Sequence, residues 1–109
     1  MSRLNLTSAA MRNSPKERAS ILQATEEVAG AGARDLVFGS RVHDDLKGGD
    51  IDLLVELPAP TQDALALSVR IAARIQRQIG LRKIDVLIAD PATPDSALLR
   101  RARREAVPI

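Results

Sequence analysis

The chain has 109 residues, which suffice for one domain with one hydrophobic core but not for a second domain. It contains no cysteine, which excludes disulfides, thiolate metal sites and cysteine nucleophiles. Its 16 basic and 14 acidic residues give a net charge of +2, and Phe38 is the only aromatic residue, so direct nucleic-acid binding is not expected.

The N-terminal part of the chain carries no recognisable targeting signal. Residues 1–14 are polar and lack the apolar segment of a signal peptide. No apolar segment approaches the roughly 18 residues of a membrane-spanning helix, so no membrane association is expected. A cytoplasmic location follows as the default. Residues 1–13 are predicted to form a flexible arm, and residues 14–109 a single domain.

The first predicted helix begins in the sequence Ser14-Pro15-Lys16-Glu17. Serine is favoured at a helix cap, proline at the first helical position and glutamate three residues after the cap. The helix should end near Gly30, because glycine commonly follows the last helical turn. Its inner face is predicted to carry Ala19, Leu22, Ala29 and their neighbours.

Three apolar segments are predicted to be strands, and they alternate with helices. They comprise residues 35–38, 50–57 and 83–89. Residues 107–109 are predicted to add a short edge strand, where proline is tolerated. Strands that alternate with helices fold into a sheet covered by helices. We therefore predict a mixed α+β fold, with a central mixed β-sheet flanked by helices.

Two more helices are predicted between and after these strands. The first should begin at Thr61 or Asp63 and end near Gly80, and the second should begin at Asp95 or Ser96. The spacing of Leu67, Ile71 and Ile75 places them on one inward face, and the last helix carries Leu98, Leu99 and Ala102. The arginines at 70, 74, 77, 100, 101, 103 and 104 are interpreted as solvated charge, with a docking role left open.

Three aspartates in or beside the predicted strands point to metal chemistry. Asp50 and Asp52 are two residues apart, so they lie on one strand face, roughly 6.5–7 Å apart. Asp85 lies in the third strand and completes a cluster if the two strands are neighbours. Buried carboxylates destabilise a fold unless they are paired or bind a ligand. Clustered carboxylate oxygens are ligands of Mg²⁺, which usually binds together with phosphates.

A glycine-serine turn precedes the first two aspartates. Gly39 allows the backbone to approach a ligand closely, and the Ser40 hydroxyl and neighbouring N–H groups could hold phosphate oxygens. Arg41, His43 and Lys47 could add positive charge against a triphosphate. Together with the aspartates, the turn suggests nucleotidyl transfer, in which a hydroxyl attacks the α-phosphorus and pyrophosphate leaves.

Each of these motifs also has a simpler interpretation. An Asp-x-Asp sequence is often the end of a strand that turns to solvent, and Gly-Ser is a common turn. Asp85 could pair with Arg82 or Lys83 at a strand edge. His43 is more simply a solvated residue. The combination and order of the motifs favour a functional site, because perturbed carboxylate clusters concentrate at such sites.

The segment Gly39-Ser40-Arg41, followed by Gly49-Asp50-Ile51-Asp52 and a later Asp85, resembles the minimal nucleotidyltransferase family within the DNA polymerase β-like superfamily. The resemblance extends over residues 15–109. It implies that Gly39, Ser40 and Arg41 bind the nucleotide, and that Asp50, Asp52 and Asp85 are catalytic and bind Mg²⁺. The chain departs from the family pattern at Gly49, where serine is frequent, and at Val42-His43, where a glycine is frequent.

The resemblance also implies a biological role. Many family members, including those of the MntA type, are antitoxins of type VII pairs that transfer AMP from ATP to a tyrosine of a HEPN-domain toxin. This would make the chain a protein adenylyltransferase with ATP as nucleotide and a toxin as partner. Two alternatives remain: a non-catalytic antitoxin that covers its partner, or a transferase subunit for a small hydroxylated substrate. The acceptor, the number of nucleotides transferred and a homodimer are left open.

Overall fold

The computed structural model describes residues 15–39 and 50–109. The predictions for the N-terminal arm and for Ser14, Ser40, Arg41, His43, Lys47 and Gly49 lie outside these ranges. The described elements are, in chain order, α1 (Pro15–Ala29), β1 (Arg34–Phe38), β2 (Ile51–Glu56), α2 (Ala64–Ile79), β3 (Ile84–Ala89), α3 (Ala97–Glu105) and β4 (Val107–Pro108). Within these ranges no helix is both long and apolar enough to cross a membrane.

The strands form one mixed sheet with the order β3-β2-β1-β4. Strands β2 and β3 are parallel, whereas β1 is antiparallel to both β2 and β4. The parallel pair is joined by α2, since parallel neighbours need a long crossover connection. The predicted mixed sheet flanked by helices is therefore confirmed, and the short strand at 107–108 pairs with β1 at Leu36 and Val37.

Local capping explains where α2 and α3 begin. The Asp63 side chain accepts a hydrogen bond of 3.0 Å from the Ala66 N–H, and the Ser96 hydroxyl accepts one of 3.1 Å from the Leu99 N–H. Such caps satisfy N–H groups that have no partner within the helix. The predicted starts at Asp63 and Ser96 are thus confirmed, as is the end of α2 before Gly80.

The predicted inner face of α1 is wrong at two positions. Ala19 and Leu22 are exposed, whereas Ser20, Ile21, Ala24 and Thr25 are buried. Ile21 and Ala24 are three residues apart and lie on one side of the helix. The buried side of α1 is therefore rotated by one residue from the predicted inner face. Polar residues within the stripe conceal it in the sequence, because Ser20 and Thr25 bury hydroxyl groups that are hydrogen-bonded within the protein.

Two apolar clusters cover the two faces of the sheet. The larger cluster lies between the sheet and helices α1 and α2, where Ile71 and Ile75 of α2 are fully buried as predicted. The smaller cluster lies on the opposite face, where Leu99 and Ala102 of α3 pack with Leu36, Phe38, Leu54 and Ala89. Because side chains alternate along a strand, Asp52 and Asp85 share the face covered by α3.

Candidate functional site

Asp52 and Asp85 are direct neighbours across the parallel strands β2 and β3. The two residues are register partners in the ladder. Adjacent strands lie about 4.8 Å apart, and register partners in a parallel pair present their side chains on the same face. Asp50 is exposed and immediately precedes β2, two residues before Asp52. The fold therefore makes Asp52 and Asp85 neighbours, with Asp50 two residues before Asp52.

The charges around Asp52 are unbalanced. Burial raises the pKa of the Asp52 carboxyl above its ordinary value, and the negative charges of Asp85 and Asp50 raise it further. The cations Arg101 and Lys83 act in the opposite direction on the same pKa. The net upward direction shows that the surrounding protein does not fully compensate the negative charge at this position.

The simpler interpretation of Asp85 as a surface ion pair is partly observed. The Lys83 Nζ lies 3.9 Å from Asp85 Oδ2, and both side chains are exposed. An exposed pair at this distance contributes little to stability, so it does not explain why Asp85 faces Asp52. Arg82 is not the partner, because its guanidinium contacts Glu17 of α1 instead.

Gly39 follows β1 and lies directly against Asp52. Its φ angle is +77°, and a Cβ atom at this position would overlap Oδ2 of Asp52. The Gly39 N–H donates a hydrogen bond of 3.2 Å to Oε1 of Glu105 on α3. A glycine is thus required here for two reasons, the left-handed backbone and the close approach to the carboxylate. Ser40 and Arg41, which complete the predicted nucleotide-binding turn, lie outside the described residues.

We expect Gly39→Ala to damage the site and Gly30→Ala to spare it. Both glycines have positive φ angles, so each substitution should lower the free energy of unfolding by about 1 kcal/mol from backbone strain. Only Gly39→Ala adds a clash with Asp52, because a Cβ on Gly30 would meet no atom within 4 Å. Urea unfolding and nucleotide-binding measurements on both variants check this, and equal binding by the two would contradict it.

One face of α3 forms the wall opposite the aspartates. Leu98, Arg101 and Glu105 are spaced i, i+3 and i+7, which places them on the same side of a helix. The Arg101 Nε donates to Glu105 Oε2 at 3.2 Å. A cleft of about 310 Å³ lies between this wall and the sheet, and its lining residues are Phe38, Asp52, Asp85, Val86, Leu87, Leu98 and Arg101.

Sequence reasoning missed the contribution of α3 to the site. The sequence pattern indicates solvated charge for Arg101, with a docking role left open, and indicates no role for Glu105. The available signal was their spacing of four residues, which permits an ion pair on one helix face. That spacing alone cannot show that the pair faces Asp52, since this depends on how α3 packs on the sheet.

The donor groups at the cleft fit a divalent cation. Asp52 and Asp85 offer hard oxygen ligands whose mutual repulsion a cation would remove. Among residues 15–39 and 50–109, however, no group of three or more His, Asp or Glu side chains is arranged so that it could hold a metal ion. Of the described aspartates, Asp52 and Asp85 are thus the pair that could share a cation, and Asp50 lies two residues from Asp52.

A family model described as a nucleotidyltransferase domain matches residues 19–106. The chain belongs to the nucleotidyltransferase domain family. The matched region includes Gly39, the three aspartates and the α3 wall of the cleft. Membership in the nucleotidyltransferase family confirms the predicted domain type and supports a transferase activity. A comparison with curated proteins finds no match to the chain.

Proposed function

We propose that this nucleotidyltransferase transfers AMP from ATP to a hydroxyl group of a partner protein in a Mg²⁺-dependent reaction. The observation that carries the proposal is the register of Asp52 with Asp85 at the cleft. Two neighbouring carboxylates that repel each other fit a function in which cation and substrate binding relieve the repulsion. The domain family supports the same class of reaction.

The proposed reaction exchanges one bond at phosphorus for another. The acceptor hydroxyl oxygen forms a bond to the α-phosphorus, the bond from this phosphorus to the bridging oxygen breaks, and pyrophosphate leaves with the bonding electrons. The hydroxyl proton passes to a carboxylate of the cluster and then to water. A bound Mg²⁺ would neutralise part of the charge on the phosphate oxygens. Gly39 gives the substrate access to Asp52 because it carries no side chain.

The proposed partner is a HEPN-domain toxin in the cytoplasm. This part rests on the resemblance of the glycine-serine turn and the Asp-x-Asp segment to minimal nucleotidyltransferases that act as antitoxins. None of the 109 residues is a tyrosine, so an acceptor tyrosine lies outside this sequence. A neighbouring reading frame for an all-helical protein with an Arg-x4-6-His motif would support the pairing.

Mass spectrometry of the co-expressed partner tests the proposal. We expect the partner to gain about 329 Da for each AMP residue that is transferred. The gain should disappear when Asp52→Asn replaces the wild-type chain, and chelation of divalent cations should prevent it in the purified reaction. The same partner expressed without the chain provides the unmodified reference mass.

An unmodified partner would contradict catalysis on a protein. If that partner remains in a stable complex that survives Asp52→Asn, the chain neutralises it by contact alone. If no complex forms and a small hydroxylated compound becomes nucleotidylated, the acceptor assignment is wrong but the transferase assignment stands. If calorimetry with Mg²⁺ detects no ATP binding, both the acceptor assignment and the assignment as an ATP-dependent transferase are contradicted.

A further inference from the structure

Arg101 is a cation that lines the acidic cleft. It lines the cleft together with Asp52 and Asp85, and it lowers the pKa of the Asp52 carboxyl. Its Nε donates to Glu105. Within the described part of the chain, no other hydrogen bond or ion pair engages its guanidinium. The two Nη groups of this side chain therefore have donors to offer to a ligand in the cleft.

Glu105 connects Arg101 to the backbone of Gly39. One of its oxygens, Oε2, accepts from Arg101, and the other, Oε1, accepts from the Gly39 N–H at 3.2 Å. The same carboxylate thus fixes the position of the arginine and of the backbone where the turn begins.

The charge balance indicates when Arg101 could bind an anion. The described carboxylates around the cleft are those of Asp50, Asp52, Asp85 and Glu105, and the cations are Arg101 and Lys83. Without a ligand, the negative charges attract Arg101. A divalent cation held by the aspartates would satisfy these charges, so that a phosphate group becomes the stronger partner for the guanidinium.

We propose that Arg101 binds the phosphate chain of the nucleotide, and that Glu105 positions it. The inference rests on the proposed nucleotidyl transfer. A guanidinium forms two parallel hydrogen bonds with phosphate oxygens, which a single ammonium group cannot do. Because the proposed reaction assigns the aspartates to the α-phosphorus, Arg101 is assigned to the phosphates that depart as pyrophosphate.

Calorimetry with Mg²⁺ and three separate probes tests the assignment: ATP, inorganic tripolyphosphate and AMP. Arg101→Met should weaken the binding of ATP and of tripolyphosphate by about 10- to 100-fold, the range for a lost charge-assisted hydrogen bond. It should change the affinity for AMP by less than about threefold, because AMP lacks the phosphates assigned to Arg101.

The same helix provides a matched control. Arg100 adjoins Arg101 in the sequence but pairs with Asp95 at the protein surface, so Arg100→Met should bind all three probes like the wild type. Arg101→Lys retains a charge, and we expect its affinity for tripolyphosphate to lie between those of wild type and Arg101→Met. This variant carries the test if Arg101→Met does not fold.

Glu105→Gln separates positioning from binding. A glutamine retains an oxygen that can accept from the Gly39 N–H but loses the charge that attracts Arg101. We expect a several-fold higher KM for ATP, with an unchanged midpoint of urea unfolding. A change in the unfolding midpoint alone would assign Glu105 a structural role and overturn the positioning part of the inference.

Two results overturn the assignment of Arg101, and they are distinguishable. In the first, the wild type binds ATP and transfers AMP, and both Arg101→Met and Arg101→Lys bind ATP and tripolyphosphate with wild-type affinity. The inference then fails and the proposed function stands. If the wild type binds neither ATP nor tripolyphosphate, both fail.

Discussion

Replacing Asp52 with asparagine should reduce nucleotide transfer by at least about 100-fold, because cation-assisted charge stabilisation is worth several kcal/mol and each 1.36 kcal/mol is a factor of ten in rate. The fold should persist. Burial and the negative charges of Asp85 and Asp50 raise the pKa of Asp52, so a neutral amide removes an unfavourable charge. We therefore expect a free energy of unfolding at least equal to that of the wild type, measured by urea denaturation.

The matched control for this prediction is Asp95→Asn. Asp95 is an exposed aspartate that pairs with Arg100 and does not line the cleft. This variant should transfer nucleotide at the wild-type rate, because it removes a carboxylate without altering the cluster. Wild-type transfer by Asp52→Asn, or an equal loss in both variants, would refute the assignment of Asp52.

Replacing Asp35 with asparagine should stabilise the protein above pH 6. Asp35 is buried in β1, and its burial raises the pKa to about 6 from 3.8, against the lowering effect of the hydrogen bond from Thr25. As pH rises, the Asp35 carboxyl therefore ionises at a lower pH in the unfolded chain than in the folded protein. The stability that Asp35 contributes is complete below about pH 4 and is lost as pH rises through about 6. At pH 8, Asp35→Asn should gain about 1–3 kcal/mol over the wild type.

Urea unfolding between pH 4 and pH 8 measures this effect. The wild-type stability should fall relative to Asp35→Asn across the range, and parallel curves would contradict the prediction. Glu26 lines the same small pocket as Asp35, so Glu26→Gln is needed to separate its charge from that of Asp35. Asp90→Asn is a control of opposite sign, because N–H donors, first that of Thr61, lower the pKa of Asp90.

The fold was largely predictable because its signals are local. Each signal lies within a few neighbouring residues, as do the helix caps at Asp63 and Ser96 and the i+4 spacing of Ile71 and Ile75. The inner face of α1 was not predictable in this way, because the apolar Leu22 is exposed whereas the polar Ser20 and Thr25 are buried. Burial of Ser20 and Thr25 depends on hydrogen bonds to residues outside the helix, which only the tertiary structure provides.

The site was predictable where it depends on strands and unpredictable where it depends on helix packing. Strand alternation places Asp52 and Asp85 on one face, and the register then makes them neighbours. The same alternation places Asp35 on the same strand face as the buried Val37. Arg101 and Glu105 reach the site only through the packing of Leu99 and Ala102 on the sheet.

The register of Asp52 with Asp85 makes the acidic pair as rigid as the sheet that carries it. A shift of one residue between β2 and β3 would move Leu53 and Val55 out of the larger cluster, so the core opposes any slippage that would separate the charges. The two carboxylates are thereby preorganised. A cationic ligand that binds them relieves the repulsion that folding imposed on the two carboxylates. It does so without the entropic cost of ordering the backbone, because the oxygens are already held together.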